Sequence, residues 1–259
     1  MKVSYVEWPN GLMPNSPEFN AIKEQVHLAS PDILITNEMP FGRWVSSFPA
    51  FDIDLAIESV ALHEKGLVAL TSLNVPLIIS SRPVRSGDRL ANEAFALQGD
   101  HYTFLHHKHF FPAHVGWYEA EWFNTGIAGF ELAQLSGISI GVLLCTELMF
   151  NEHARAYGRA GADLIIVPRA SGPQVDRWKI ACSMAAYVSG SYVVTSNHSG
   201  EVPGNNIFGG VGFAFAPGGE QIGQTSVEQT LMSFDLDRNL SAAHKKLYPC
   251  YVSETIRGS

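Results

Sequence analysis

Short apolar runs alternate with helical stretches along the whole chain, and this alternation constrains the fold more than any other feature. Ile138–Leu144 has the pattern of a strand, Glu147–Ala160 that of a helix, and Leu164–Val167 that of a second strand. A parallel pair of strands needs a connection of about a dozen residues or more, which is usually an α-helix. A strand–helix–strand segment therefore indicates two parallel strands. Parallel sheets have helices on their outer faces. The alternation therefore predicts an α/β protein.

The remaining apolar segments add both parallel units and hairpins. Turn residues predict hairpins across 98–100, about Ser136-Gly137, and across 217–219, where the last two strands would pair. No linker divides the chain, so we expect residues 1–259 to form one domain, with two mixed sheets face to face and helices outside. We predict a helix opened by Pro17 and helices at Asp54–Ser72 and Trp178–Gly190. The other predicted strands are Val3–Trp8, Ile33–Thr36, Leu77–Ser81, Ala91–Leu97, Tyr102–His107, Ile127–Leu132, Tyr192–Ser196, Val211–Phe215 and Leu231–Leu236.

The composition excludes several classes of protein. Of 259 residues, 46% are hydrophobic and 16% charged, with a formal net charge of −8, so we exclude a disordered chain and expect no nucleic-acid partner. No apolar run approaches the ~20 residues that cross a bilayer, and we recognise no secretory signal. Three widely separated cysteines indicate free thiols in a reducing compartment. We expect a cytoplasmic globular protein with no membrane contact.

Cys145 is the strongest candidate nucleophile, because it lies where a predicted strand ends and a helix begins. Such a junction places a side chain at the carboxyl end of a sheet, beside the positive end of a helix dipole. Both conditions favour a thiolate, the form that attacks a carbonyl carbon. The alternative is that Cys145 is a small buried apolar residue. That explanation suits Cys182, which lies among alanines on a predicted helix.

Glu38 and Lys108 also follow predicted strands. A carboxylate base and a cation for an oxyanion are what a thiol nucleophile needs beside it. Strand ends that are far apart in sequence converge only in a sheet-rich fold. Each residue has an alternative role: Glu38 as a helix cap or surface charge, and Lys108 as a side chain whose stem covers apolar surface.

Three separated motifs carry these residues. The first is ILITNEMPFG at 33–42 and the second is KHFFP at 108–112. The third is GVLLCTELMFNE at 141–152, followed by Arg155, Gly161-Ala162-Asp163 and Pro168. In their order and spacing the motifs resemble the nitrilase, or carbon–nitrogen hydrolase, superfamily over nearly the whole chain. The resemblance implies a four-layer α-β-β-α sandwich.

The resemblance also implies a role for each residue. Cys145 would be the nucleophile, Glu38 the general base, and Lys108 the cation that stabilises the tetrahedral oxyanion. The backbone N–H of Thr146 would be a further donor to that oxyanion. A thioester would form with loss of ammonia or an amine, and Glu38 would then activate water.

Many members of this superfamily have a second glutamate after the lysine. Glu119 resembles it best, and Glu121 is the other choice. Beside Lys108, Glu119 would hold the ammonium in position and help to keep it charged.

Two departures from the superfamily pattern bear on the substrate. Thr146 stands where nitrile-hydrolysing members usually carry Trp, which favours an amidase or carbamoyl-amide hydrolase. Arg169 follows the strand that ends at Pro168, and there it could hold a substrate carboxylate in bidentate fashion. The alternative for Arg169 is a structural salt bridge with Asp176 or Glu147.

Metal and cofactor sites are not expected. His106, His107, His109 and His114 surround Lys108 in sequence. Alternation along a strand sends His106 and His107 to opposite faces, and no Cys or carboxylate completes a tetrahedral set. The glycines at 209–212 lack the spacing and the following helix of a dinucleotide loop.

The leading hypothesis is hydrolysis of an amide or N-carbamoyl bond in a small molecule, acidic if Arg169 contacts it. Nitrile hydrolysis is the alternative within this family. A papain-like pair of Cys145 with His198 and a catalytically silent binding protein are further alternatives. We also expect at least a homodimer, formed through the small-residue face of the Trp178–Gly190 helix, which consists of Ala181, Ala185, Ala186 and Ser189.

Overall fold

The computed structural model describes residues 1–126, 129–202 and 206–254. Its strands are β1 (Lys2–Pro9), β2 (Ile33–Ile35), β3 (Leu77–Ser86), β4 (Arg89–Gln98), β5 (His101–His107), β6 (Ala133–Leu135), β7 (Ile138–Val142), β8 (Leu164–Val167), β9 (Tyr192–Thr195), β10 (Asn197–Val202), β11 (Asn206–Gly209), β12 (Phe213–Phe215), β13 (Gln221–Gln224) and β14 (Leu231–Asp235). Its α-helices are α1 (Pro17–Ala29), α2 (Ile53–Thr71), α3 (Glu119–Trp122), α4 (Asn151–Ala160), α5 (Val175–Ser189) and α6 (Arg238–His244), and short 3₁₀ segments cover Val45–Ser47 and Cys145–Met149.

The strands form two mixed sheets. The first has the order β11-β10-β1-β2-β3-β4-β5, with β14 also paired to β1, and the second has the order β13-β12-β9-β8-β7-β6. Strands β1, β2 and β3 run parallel, as do β7, β8 and β9, whereas the β3–β4–β5 and β6–β7 pairs are antiparallel. Glu38 follows β2 and Cys145 follows β7, which are interior strands, whereas Lys108 follows β5 at the end of the first sheet.

Four layers result from the alternation of side chains along the central strands. Ile35 and Ile79 of the first sheet share one buried cluster with Ile140 and Ile166 of the second, so the two sheets pack face to face. On the opposite face of the first sheet, residues such as Leu34 pack against α1 and α2, and α4 and α5 cover the second sheet. The predicted α-β-β-α sandwich is confirmed.

Helix α1 shows how local sequence fixes an element. Ser16 caps it, accepting a hydrogen bond from the backbone N–H of Phe19 at 3.2 Å, and Pro17 occupies the first turn. Its buried residues, Phe19, Ile22 and Val26, recur at helical spacing and face the sheet.

Two predicted hairpins are corrected. The turn at 217–219 joins β12 to β13, and β14 instead crosses to the other sheet and pairs antiparallel with β1. The strand before Ser136-Gly137 is Ala133–Leu135, not Ile127–Leu132. Ile127 and Ala128 lie outside the described residues, and residues 129–132 form no regular element.

The small-residue face of α5 has a different partner from the one we predicted. Ala185, Ala186 and Ser189 are fully buried within their own subunit, where α5 packs on α4 and β9. The approach to α4 is so close that a Cβ on Gly158 would lie 2.4 Å from the carbonyl oxygen of Ser189. This face therefore does not support a homodimer, and the dimer stays a prediction. Within the described part of the chain, no helix is long and apolar enough to span a membrane.

Candidate active site

Glu38, Lys108 and Glu119 meet at one edge of the first sheet. Glu38 follows β2, and Lys108 follows β5 directly and donates its backbone N–H to the carbonyl of Asn92 at 2.9 Å. The Lys108 Nζ lies 2.7 Å from Glu38 Oε1 and 2.5 Å from Glu119 Oε2, and all three side chains are buried. Glu121, the other choice for the second glutamate, is exposed and lies 3.9 Å from Arg89. The structure thus brings Glu119, not Glu121, to the lysine.

The pairing keeps the lysine charged in a dry site. Burial by itself lowers the pKa of Lys108, but the adjacent carboxylates of Glu119 and Glu38 raise it above the usual lysine value. Burial also raises the pKa of Glu119 to about 7, even though Lys108 pulls it down. The pKa of Glu38 is raised by burial as well, against the attraction of Lys108. Both carboxyl groups therefore take up a proton more readily than exposed glutamates do.

Cys145 sits in a strained turn at the end of β7. Its φ of 49° is in the left-handed region, which a residue with a Cβ adopts at a cost in free energy. Two contacts hold it there: its backbone N–H donates to the Pro168 carbonyl at 3.0 Å, and its thiol donates to the Ala170 carbonyl at 3.6 Å. Backbone strain of this kind is typical of functional sites, where the surrounding structure holds one side chain in a fixed orientation.

The Cys145 side chain is a thiol and not the thiolate that its position in the sequence suggested. Burial raises its pKa well above that of a free cysteine, and the negative charge of Glu38 raises it further. Helix α4 begins only at Asn151, and the segment Cys145–Met149 is a 3₁₀ turn that adds little dipole. The nucleophile must therefore lose its proton to a base during attack.

Glu38 has one oxygen available for that proton. Its Oε1 accepts from Lys108 at 2.7 Å and from the Asn92 amide at 2.8 Å, while its buried Oε2 accepts no hydrogen bond from the described residues. The Cys145 thiol is one of the groups that lower the pKa of Glu38. A buried acceptor without a donor costs free energy in the folded protein. The unpaired Oε2 of Glu38 is therefore the oxygen that can accept a transferred proton.

Glu147 joins the cysteine turn to the lysine strand. It is fully buried and accepts the backbone N–H groups of Leu144 at 2.7 Å and His109 at 2.6 Å. The His106 ring also contacts both of its oxygens, at 2.9 and 3.1 Å, through Nε2. Because a carboxylate only accepts, His106 Nε2 carries the proton. Glu147 thus fixes the ends of β5 and β7 relative to each other.

A cavity of about 340 Å³ opens beside Cys145. Thr146 and Glu119 line it together with the cysteine. Its walls are largely apolar, and its volume is that of a small-molecule site. The lining residues are Pro112, His114, Trp117, Glu119, Cys145, Thr146, Met149, Ala170, Ser171, Gly172, Pro173, Gln174, Arg177 and Trp178.

Arg169 does not line this cavity, which corrects the expectation of a substrate clamp. Its side chain is fully buried and donates to Thr195 Oγ1 at 3.2 Å, to Ser171 Oγ at 2.9 Å, and to the carbonyls of Ser196 and Val211. No carboxylate of the described residues lies within ion-pair distance, so neither predicted salt bridge forms. Burial lowers the pKa of Arg169 to about 10.

The arginine instead fixes a bridging segment. The carbonyl of Arg169 itself accepts the backbone N–H of Glu38 at 3.4 Å, and the carbonyls on either side of it hold Cys145. Residues 168–170 therefore link the base to the nucleophile across the two sheets. Anchoring the guanidinium keeps that segment in place.

The histidines take separate positions. His106 lies on Glu147, whereas His107 lies 3.1 Å from Glu93 on the other face of β5, as strand alternation predicts. His198 is buried, and its Nε2 donates to the backbone carbonyl of Glu38 at 2.6 Å. Burial lowers the pKa of His198 to about 4, so its ring is neutral. His198 thus contacts the base and makes no hydrogen bond to the cysteine, contrary to a papain-like pair.

Sequence reasoning missed two residues of the site. Asn92, in the middle of β4, gives no signal in the sequence, since one amide in an apolar strand has many explanations. Glu147 had a signal, because it stands two residues after Cys145 in the third motif. Its place in that motif indicates a role in the site, whereas from the sequence Glu147 is considered only as a possible salt-bridge partner of Arg169.

A cysteine held in a strained turn, with a buried lysine and two carboxylates nearby, defines a thiol-hydrolase type of site. The sequence profile of the carbon–nitrogen hydrolase family matches residues 44–246. The chain belongs to the carbon–nitrogen hydrolase family. In fold it is similar to a carbon–nitrogen hydrolase from Helicobacter pylori, with a TM-score of 0.84 at 18% identity over 99% of this chain and 96% of that one.

Further relatives are amidases by name. The chain is 30% identical over 158 residues to N-carbamoylputrescine amidase of Solanum lycopersicum, covering 54% of this chain and 53% of that protein. It is 24% identical over 220 residues to an omega-amidase of Xenopus laevis, covering 81% and 77%. An amidase from Nesterenkonia sp. AN1 in complex with butyramide has a similar fold, with a TM-score of 0.76 at 19% identity over 94% and 93% of the two chains. The chain spans about half the length of the N-carbamoylputrescine amidase that it matches.

Proposed function

We propose that this protein hydrolyses a carbon–nitrogen bond, in an amide or an N-carbamoyl group of a small molecule, through a thioester on Cys145. One observation carries the proposal. The buried Lys108 ammonium lies between the Glu38 and Glu119 carboxylates, at 2.7 and 2.5 Å, and Glu119 lines the same cavity as Cys145. A nucleophile, a base and a fixed cation are then available to one carbonyl group.

The first half of the reaction forms the thioester. Cys145 Sγ bonds to the carbonyl carbon as its proton passes to the free Oε2 of Glu38, and the carbonyl electron pair moves onto oxygen. Lys108 and the Thr146 N–H stabilise that oxyanion. The carbon–nitrogen bond then breaks, the nitrogen takes the proton from Glu38, and ammonia or an amine leaves.

The second half returns the enzyme to its starting state. Glu38 Oε2 takes a proton from water while the water oxygen bonds to the thioester carbon. The carbon–sulfur bond breaks, and the sulfur recovers its proton from Glu38. Glu119 stays on Lys108 throughout and holds the ammonium in position.

The proposal is tested with Cys145→Ala, which removes the nucleophile and little volume. Amides, N-carbamoyl compounds and nitriles are supplied to the purified protein, and released ammonia is measured. We expect turnover of amides or N-carbamoyl compounds by the unaltered protein and none by Cys145→Ala. Quenching during turnover should leave an acyl mass on the peptide that contains Cys145.

Cys182→Ala is the matched control, because Cys182 is an equally buried thiol outside the cavity. It should keep its turnover. Substantial activity in Cys145→Ala would refute the thioester mechanism. Turnover of nitriles without turnover of the matching amides would favour the nitrilase alternative. If no compound in the panel is turned over, the alternative of a catalytically silent binding protein would be favoured.

We also propose that the protein acts in the cytoplasm as a homodimer or higher homo-oligomer. The outer face of α5 exposes Ile180, Met184 and Tyr187, an apolar area that a second subunit would cover. The cytoplasmic location is supported by the three cysteines of the chain, which are free thiols, as is usual in a reducing compartment.

A further inference from the structure

Arg177 is a cation in the wall of the active-site cavity. It is the third residue of α5, it is exposed, and it lines the same space as Cys145. Among the described residues it makes no hydrogen bond, ion pair or ring contact. This sets it apart from Arg169, whose guanidinium is buried and surrounded by acceptors.

The rest of the cavity wall offers no competing negative charge. Glu119 is the one carboxylate among the described lining residues, and its charge is paired with Lys108 at 2.5 Å. His114 is neutral or positive in any protonation state. A substrate ammonium would therefore find no carboxylate free to pair with it, whereas a substrate anion would find Arg177.

We propose that Arg177 selects amides whose acyl chain ends in a carboxylate. The guanidinium presents two parallel N–H donors that match the two oxygens of a carboxylate. Trp117, Met149 and Trp178 supply apolar surface for the few carbon atoms between the carboxylate and the amide. This inference rests on the proposed amide hydrolysis and names the class of substrate for it.

A series of three four-carbon amides tests the inference. Succinamate ends in a carboxylate, butyramide in a methyl group, and 4-aminobutyramide in an ammonium. We expect kcat/KM to fall in that order. In Arg177→Ala the KM for succinamate should rise by about tenfold, the lower end for a charge-assisted contact because the site is partly exposed. The KM for butyramide should change by less than about twofold.

Arg177→Lys and Arg85→Ala complete the set. The lysine keeps the positive charge but lacks the two parallel N–H donors, so the rise in KM for succinamate should be intermediate. Arg85 is an exposed arginine outside the cavity, and its removal changes net charge equally without affecting either KM. Equal losses on succinamate and butyramide in Arg177→Ala, or no preference for succinamate in the unaltered protein, would overturn the inference.

Binding separates this result from failure of the proposed function. Calorimetry on Cys145→Ala, with and without Arg177→Ala, measures the affinity for each amide in the absence of chemistry. If no amide is hydrolysed, the proposed function fails. Arg177-dependent binding of succinamate would then still support an anion site, and binding of all three amides without dependence on Arg177 would refute it.

Discussion

Two buried glutamates of the site, Glu38 after β2 and Glu147 within the cysteine turn, differ in how their oxygens are used. Glu38 accepts two hydrogen bonds on Oε1 and none from the described residues on Oε2. Glu147 accepts on both oxygens, from two backbone N–H groups and from the ring of His106. Both side chains are fully buried, so burial alone does not distinguish them.

The difference shows how a buried carboxylate can serve either chemistry or architecture. An oxygen with a full set of donors is stabilised in place and has no lone pair for a new proton. An oxygen without a donor is costly in the folded state, and it gains when a proton arrives. By this criterion Glu38 is suited to proton transfer, and Glu147 is suited to holding Leu144 and His109 in place.

Glu38→Gln is the substitution with the largest expected effect. The amide oxygen can keep both hydrogen bonds of Oε1, and its NH₂ group replaces an oxygen that has no donor to clash with. We therefore expect a loss of at least about 10³ in kcat, because the base is gone. Steady-state kinetics measure that loss, and thermal unfolding should show the midpoint within about 4 °C of the unaltered protein.

A mild kinetic defect in Glu38→Gln would remove Glu38 from the proposed mechanism. A large drop in the unfolding midpoint would instead mean that Oε2 is structurally bonded, and the contrast with Glu147 would disappear. Asn92→Ala is a useful companion, since it removes one donor to Oε1 and leaves the base itself in place.

The sequence predicted the central sheets well because their signal is local. Apolar periodicity and turn residues placed β7, α5 and β8 within a few residues of their observed bounds. The last hairpin failed because pairing of β14 is a long-range choice, and β13, with the sequence QIGQ, carries almost no apolar signal. Which of two sheets a strand joins depends on contacts that no short window contains.

At the site, residue types and strand ends were predictable, but environment was not. The expected thiolate of Cys145 and the expected contact of Arg169 with a substrate carboxylate both failed for the same reason, since each side chain is buried to a degree that its neighbours in sequence do not reveal. The arginine that does reach the cavity, Arg177, lies eight residues further along. Desolvation and hydrogen-bond partners are set by the whole fold.

The pH dependence gives the next largest effect. Burial raises the pKa of Glu119 to about 7, and that of Glu38 is raised as well. Since the base must be ionised to accept a proton, kcat/KM should fall by about tenfold per unit as the pH drops below the raised pKa of Glu38. Glu119→Gln removes a like charge from Glu38, so the acidic limb should move to lower pH in that variant.

The contribution of Glu119 to stability runs in the opposite direction to activity. Its folded pKa exceeds the unfolded value, so the folded protein binds the proton more tightly between those two values. The free energy of unfolding should therefore decrease as pH rises from about 4.5 to 7 through this group. Glu121→Gln, on the exposed surface, is the control and should change neither curve. An acidic limb centred near the ordinary glutamate pKa would contradict the buried-carboxylate description.

Compared with Glu38→Gln, Glu147→Gln should have a smaller effect on turnover and a larger effect on stability. An amide has one accepting oxygen, so at least one of the donors Leu144 N–H, His109 N–H and His106 Nε2–H is left buried without an acceptor. Each such donor costs about 1–3 kcal/mol of unfolding free energy, which denaturant unfolding measures. Loosening of the strand ends should lower kcat by about tenfold with little change in KM.

Glu152→Gln, an exposed neighbour on α4, controls for the lost charge and should be neutral in both assays. If Glu147→Gln kept full stability and lost as much turnover as Glu38→Gln, Glu147 would belong to the proton-transfer chemistry, and the number of donors on each oxygen would not separate the two roles.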